Sequence, residues 1–256
     1  MHLAVPERHL LVSGLPQDAG ATSALGKLLA VGRREAVDMD WITTWRDQQA
    51  LPAAQGEHWL RADPVHCLLM RDHLVLDDPA HLGLQAEEAR QLLETINQHF
   101  ALDGLRFFAP HPQRWYVRLE RAPQLSVCPL AEAMGKSVAD LLPSGAEAVL
   151  WRQRLNEAQM LLHEHPVNQV REAHDLAEVN SLWLYLPPPA PAGLQTVEPQ
   201  QLEQGCAVLL QALRKGELAA LNLYFVNEMP VLRCRVQRRD LWKFWRRRRA
   251  WGDWIG

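Results

Sequence analysis

The run Asn156-Glu157-Ala158-Gln159-Met160-Leu161-Leu162-His163-Glu164-His165-Pro166-Val167-Asn168 decides how this chain is read, together with Arg171 and Val179-Asn180-Ser181-Leu182-Trp183 beyond it. It predicts a helix that breaks at Pro166, restarts, and leads into a strand. Trp151, Leu155, Ala158 and Leu162 recur at helical spacing and form one buried face. Asn156, Gln159 and His163 fall on another face. Asparagines 156, 168 and 180 bracket the breaks with Arg171. An Asn beside a helix end is ordinarily a cap or turn residue. The alternative is that these side chains share a cleft, with Arg171 supplying charge and the amides orientation toward a small anionic or polar ligand.

Working outward from this run, Ser144-Gly145-Ala146-Glu147 has the spacing of a capping box and predicts the start of the central helix. Upstream, His58–Arg61, Val65–Met70 and His73–Leu76 read as short strands, with a turn at Asp63-Pro64 and a hairpin at Arg71-Asp72. Asp63 and His66 are a candidate polar pair; the competing reading makes Asp63 a turn residue and His66 a half-buried strand residue. Residues 84–100 predict an amphipathic helix with Ala86, Ala89, Leu93, Ile96 and Phe100 inward. Strands follow at 105–108 and 115–119. Residues 1–50 read as irregular or partly helical. Downstream, the five prolines of 186–199 predict an extended surface loop. A helix follows through Leu202, Cys206, Leu209 and Leu213, then strands at 220–226 and 230–236. The fold class expected is α+β: two lobes with mixed or antiparallel sheets packed by helices. The boundaries expected are 1–125, 126–237, and a basic segment at 238–256.

The pattern "NEAQMLLHEHPVNQVRE…VNSLW", with "LRADPVH" (60–66) and "RWYVRL" (114–119), resembles a bacterial family of RpfE-type regulatory proteins. That family is similar in turn to the inserted domain of archaeal-type cofactor-independent phosphoglycerate mutases. There a His-Pro-x-Asn-x-x-Arg segment precedes an Ala-Asn strand and a Gly-rich turn. The mutase similarity covers about residues 145–186. This chain has Leu186-Pro187-Pro188-Pro189 where those relatives have glycines. Prolines offer no N–H groups to an anion. The resemblance implies a mutase-like accessory architecture. A mutase also needs metal-holding Asp and His residues around a nucleophilic hydroxyl. The chain has no amino-terminal Asp-Gly motif and no Gly-Asp-His segment. His163-Glu164-His165 lacks the spacing that sets two His on one helical face. No metal or cofactor is therefore expected, and the reading is a regulatory or partner-binding protein. A phosphate-ester mutase or hydrolase is the alternative.

Composition bounds the rest. The 256 residues are 48% hydrophobic and 22% charged, which suits a folded chain with a substantial core. There is no transmembrane run and no signal-peptide pattern at the start, so a cytoplasmic location is expected. Cys67, Cys128, Cys206 and Cys234 are widely spaced and predict reduced thiols. Charge is uneven: residues 233–249 hold nine Lys/Arg and one acid, although the whole chain carries −3. Trp242, Lys243, Trp245, Arg246, Arg247, Arg248 and Arg249 are candidates for contact with a protein partner. Nucleic acid, through phosphate contact and stacking, is the further alternative.

Overall fold

The computed structural model describes residues 5–13, 24–36, 40–52, 58–71, 73–186, 188–226 and 232–242. In chain order the strands are β1 (Glu7–Ser13), β2 (Arg33–Ala36), β3 (His58–Val65), β4 (Cys67–Leu69), β5 (Leu74–Leu76), β6 (Arg106–His111), β7 (Arg114–Leu119), β8 (Ser181–Tyr185), β9 (Leu194–Val197), β10 (Ala220–Val226) and β11 (Leu232–Gln237). The helices are α1 (Ala24–Val31), α2 (Asp40–Ala50), α3 (Ala86–Phe100), α4 (Leu130–Ala133), α5 (Ala148–His163), α6 (Pro166–Ala173) and α7 (Pro199–Lys215). The class is α+β with mixed and antiparallel sheets. The chain divides into two compact units, residues 43–188 and a discontinuous unit made of 1–42 with 189–256.

The discontinuous unit is built on a five-stranded sheet of order β2-β11-β10-β1-β9. β1 runs parallel to both β9 and β10, while β11 is antiparallel to β10 and β2. β10 is buried along its whole length, as the run Ala220-Leu221-Asn222-Leu223-Tyr224-Phe225-Val226, apolar but for Asn222 and the Tyr224 hydroxyl, suits. α7 connects β9 to β10. Its start is fixed by a capping box between Glu198 and Gln201, and its end by Gly216 in the left-handed region at φ 80°. Leu202, Cys206, Leu210 and Leu213 face the core with Leu25 and Leu28 of α1.

The continuous unit carries an antiparallel sheet of order β6-β7-β3-β8 and the small β4–β5 hairpin. α3 and α5 cover one face. Leu92, Ile96 and Phe100 meet Trp151, Leu155, Ala158 and Leu162 over Leu60, Trp115, Leu182 and Leu184. The other face packs Val65, Trp183 and Tyr185 against Leu76 and Ala133.

A boundary near residue 125 would cut this sheet, because β3 pairs with β7 on one side and β8 on the other. Asp63-Pro64 is not a turn but the middle of β3. Pro64 fits because it stands where no N–H is required of it. α5 begins at Ala148, and its cap residue Glu147 makes no side-chain capping bond. Ser144 instead exchanges two backbone bonds with Ser126, at 2.8 and 2.9 Å. Gly145 at φ 107° keeps the chain out of helix there. In α3 the inward residue is Leu92, with Leu93 half-buried and Ala86 exposed. β1 lies in a stretch read as irregular, and β9 in one read as loop. The hairpin is present, closed by Met70 N–H donating to the His73 carbonyl at 2.9 Å. None of the four cysteines is in a disulfide, and three of them are buried.

Candidate ligand and partner site

The residues expected to share a cleft are mostly absorbed by the fold. Asn168 is 1% exposed. Its amide donates to the carbonyls of Leu162 (2.7 Å) and Val179 (2.8 Å), and its carbonyl accepts from Val179 N–H (2.9 Å). One side chain thus ties the end of α5 to the approach to β8. Pro166, which needs no N–H donor partner, opens α6, and His165 Nδ1 caps it by accepting from Val167 N–H at 3.1 Å. Arg171 is also 1% exposed. Its Nη1 reaches both Glu88 oxygens at 2.8 and 2.9 Å, its Nε donates to the Ala177 carbonyl at 2.7 Å, and its Nη2 to the Leu82 carbonyl. Asn180 imitates a strand: it accepts from Cys67 N–H (2.7 Å) and donates to the Cys67 carbonyl (2.9 Å). These three side chains point at backbone and at Glu88 rather than into one cleft.

Asp63 and His66 separate likewise. His66 Nδ1 lies 2.8 Å from the Glu178 carbonyl. Asp63 belongs to a buried polar network that the sequence reading missed. Arg61 Nε donates to Asp63 Oδ1 at 3.1 Å and its Nη2 to Oδ2, while Trp115 N–H and the Tyr185 hydroxyl also donate to Asp63, each at 3.1 Å. The Arg61 guanidinium lies over the rings of Tyr116 and Tyr185. Burial opposes its charge, but Asp63, together with Tyr185 and Tyr116, outweighs this and holds the guanidinium protonated. Next to it, Asp47 takes two bonds from Arg114 and one from the Tyr116 hydroxyl. Burial first, and the Asp47 charge with it, push the Tyr116 phenol above its ordinary value. The available signal was the alternation Arg61-x-Asp63 on one strand face, opposite tyrosines at matching positions of β7 and β8.

Asn156 has a different setting. It is exposed on α5 and borders a cavity of about 500 Å³, within the range of ligand pockets. Leu155 and Gln159 of α5 form one wall, Leu74 of β5 and Leu141 another, and Ser181–Leu184 of β8 run along it. Gln159 Nε2 donates to Ser181 Oγ at 3.1 Å. Arg152, also at this cavity, is braced by donating from Nε to the Pro143 carbonyl at 2.9 Å. The site is apolar with a polar side made of Asn156, Gln159 and Ser181. Beside it the hairpin exposes Leu69 (79%) and Met70 (52%). His163 is exposed in the last turn of α5, outside these walls.

The expected contacts of Lys243, Trp245 and Arg246–Arg249, and of the Trp242 side chain, lie outside the described residues. Among the described residues no three His, Cys, Asp or Glu side chains are placed to hold a metal ion, and no helix is long and apolar enough to cross a membrane.

No protein-family model matches the chain. It is 30% identical over 118 residues to the 2,3-bisphosphoglycerate-independent phosphoglycerate mutase of Methanothrix thermoacetophila, covering 46% of this chain and 30% of that protein. A probable enzyme of the same description from Geobacter sulfurreducens is 26% identical over 126 residues, 49% of this chain and 32% of its own. The mutase of Methanosarcina barkeri is 25% identical over 180 residues, 68% of this chain and 44% of its own. Among solved structures, the cofactor-independent phosphoglycerate mutase of Thermoplasma acidophilum aligns with a TM-score of 0.43 and 12% identity, over 90% of each chain. The chain spans less than half the length of these curated relatives, and over that span it is similar to cofactor-independent phosphoglycerate mutases.

Proposed function

We propose that this chain is a non-catalytic regulatory or partner-binding protein on a mutase-like architecture, acting through the cavity beside β8. The observation that carries the reading is the cavity itself: apolar walls, a polar side at Asn156, Gln159 and Ser181, and exposed leucine and methionine on the adjoining hairpin. Apolar surface of this kind, rimmed by polar groups, is the usual mark of an interaction site. The regulatory part of the reading rests on the RpfE-type resemblance of the segments around residues 60–66, 114–119 and 156–183. The charged groups that could have served chemistry are already engaged: Asp63 with Arg61, Asp47 with Arg114, Arg171 with Glu88.

A phosphate-ester enzyme is the second reading, favoured by the descriptions of the relatives as mutases. The deciding experiment is a phosphoglycerate mutase and phosphatase assay of the pure chain with and without added manganese, alongside elemental analysis. The proposal expects no turnover and no stoichiometric transition metal. Turnover that disappears on chelation would replace it with the enzyme.

A further inference from the structure

Among the described residues, β8 is the edge of its sheet and has one neighbour, β3. In an antiparallel ladder alternate residues turn their N–H and C=O toward the partner, and those between turn them away. Two observations fix the parity. At the opposite edge, Phe107 donates to Asn97 Oδ1 at 2.7 Å and accepts from Asn97 Nδ2 at 3.0 Å, so its backbone faces away from β7. Its partner Val117 then faces β3, opposite Leu60. Arg61 must therefore face β8, opposite Tyr185. Counting back along β8, Trp183 and Ser181 face β3, and Leu182 and Leu184 face outward. Independently, Pro64, which has no N–H to give, stands opposite Leu182.

The two edges of the sheet are thus treated differently. Asn97 covers β6 with a side-chain amide. At β8, among the described residues, nothing pairs with the N–H and C=O groups of Leu182 and Leu184. Backbone groups in buried positions are normally paired, and both residues are buried, at 3% and 4% exposure. The cavity lies along this same edge, bordered by consecutive residues of β8 and by both faces beside them: Leu155 and Asn156 of α5, Leu74 of the hairpin, and Leu141.

We propose that the free edge of β8 takes an extended peptide segment of a partner protein as a further strand, with an apolar side chain of that segment seated in the cavity. This deepens the partner-binding reading above and rests on it. Main-chain bonds to Leu182 and Leu184 supply sequence-independent affinity, and the cavity selects a Leu-, Ile- or Phe-type anchor. Proline is excluded from the peptide positions that pair with the edge.

The test uses the full chain and a displayed library of random heptapeptides. A selected peptide is then rebuilt with single backbone N-methyl groups, and amide exchange is followed by NMR. Selected peptides should share an apolar anchor. Methylation at alternate positions should weaken binding at least about tenfold while the intervening positions tolerate it, as single lost edge bonds predict. Leu182 and Leu184 amides should exchange faster than Trp183 in the free chain and slow on peptide addition. Ala139→Trp, at an exposed position on the cavity, should weaken binding without lowering Tm. The inference is overturned if no peptide is enriched or if methylation shows no alternation. It is equally overturned if the two leucine amides are protected in the free chain, including protection that grows with the protein's own concentration and so reports a second copy. The methyl scan stands whether or not the Ala139 variant folds. Phosphoglycerate turnover measured on the same preparation reports separately on the underlying reading: no peptide and no turnover defeats this inference alone.

Discussion

At the scale of single residues, the polar side chains that draw the eye in the sequence work as ties. Asn168 satisfies three backbone groups between α5 and β8 from a fully buried position. Asn168→Ala strands all three, and unfolding in urea should report a loss of about 3–5 kcal/mol, since each unmet buried group costs about 1–3. Arg171→Ala leaves Glu88 without its charged partner and the Leu82 and Ala177 carbonyls without the Arg171 donors, so it should cost a similar ~3–5 kcal/mol. A loss below about 1 kcal/mol for either variant would contradict the structural role assigned. His165 brings in pH. Its Nδ1 accepts from Val167 N–H, which requires a neutral ring, and burial lowers its pKa below the ordinary 6.5. The unfolded chain takes up a proton near 6.5 while the folded chain resists it. Stability from this residue is therefore full above that value and falls as the pH drops through it. His165→Asn keeps a capping acceptor and removes the titration. Its Tm should decline less than that of the parent between pH 7 and 5. Some slope should remain, because burial also lowers His9 and His111.

At the scale of elements, close approach is set by one small residue. Gly32 follows α1, and a Cβ there would overlap the Sγ of Cys234 on β11 and press on Val236. Gly32→Ala should destabilise by about 1–3 kcal/mol, as overpacking does. In a Cys234→Ala background the same change should cost less, and a double-mutant cycle in denaturant measures that coupling. An additive cycle would mean that the two elements do not meet there. The same elements explain what the sequence could tell. α3, α5, α7 and the strands β7, β8 and β10 were legible because helical or strand periodicity survives wherever one face is packed. The start of α5 was misread because Ser144 and Glu147 satisfy a local capping pattern that Gly145 and the Ser126 bridge override. β1 and β9 were missed because they pair with each other across 185 residues of chain (His9↔Leu194), and no local pattern records a parallel neighbour. The site was only partly legible. Asn156 and Gln159 stood out by their helical face, but the other wall comes from β5, β8 and residues 138–143, which only tertiary structure assembles.

At the scale of the whole molecule, one unit is inserted in the other's sequence, and each has its own core. The continuous unit holds a cluster from Leu60 to Leu184 that draws on α3, α5 and the four-stranded sheet. The discontinuous unit closes its core from Leu10 to Val236 with α1, α7 and the five-stranded sheet. A core of many buried apolar residues, drawn entirely from one stretch of chain, is what independent folding needs. The segment Thr43–Pro188, expressed alone, should therefore unfold in one cooperative transition. The remaining two segments should need to be joined by a short Gly/Ser linker before they fold at all, because β1 and β10 pair in register from Glu7↔Ala220 to Ser13↔Val226. Calorimetry of the isolated segment and of the joined remainder checks both statements. A non-cooperative melt for Thr43–Pro188 would show that its core depends on the other unit.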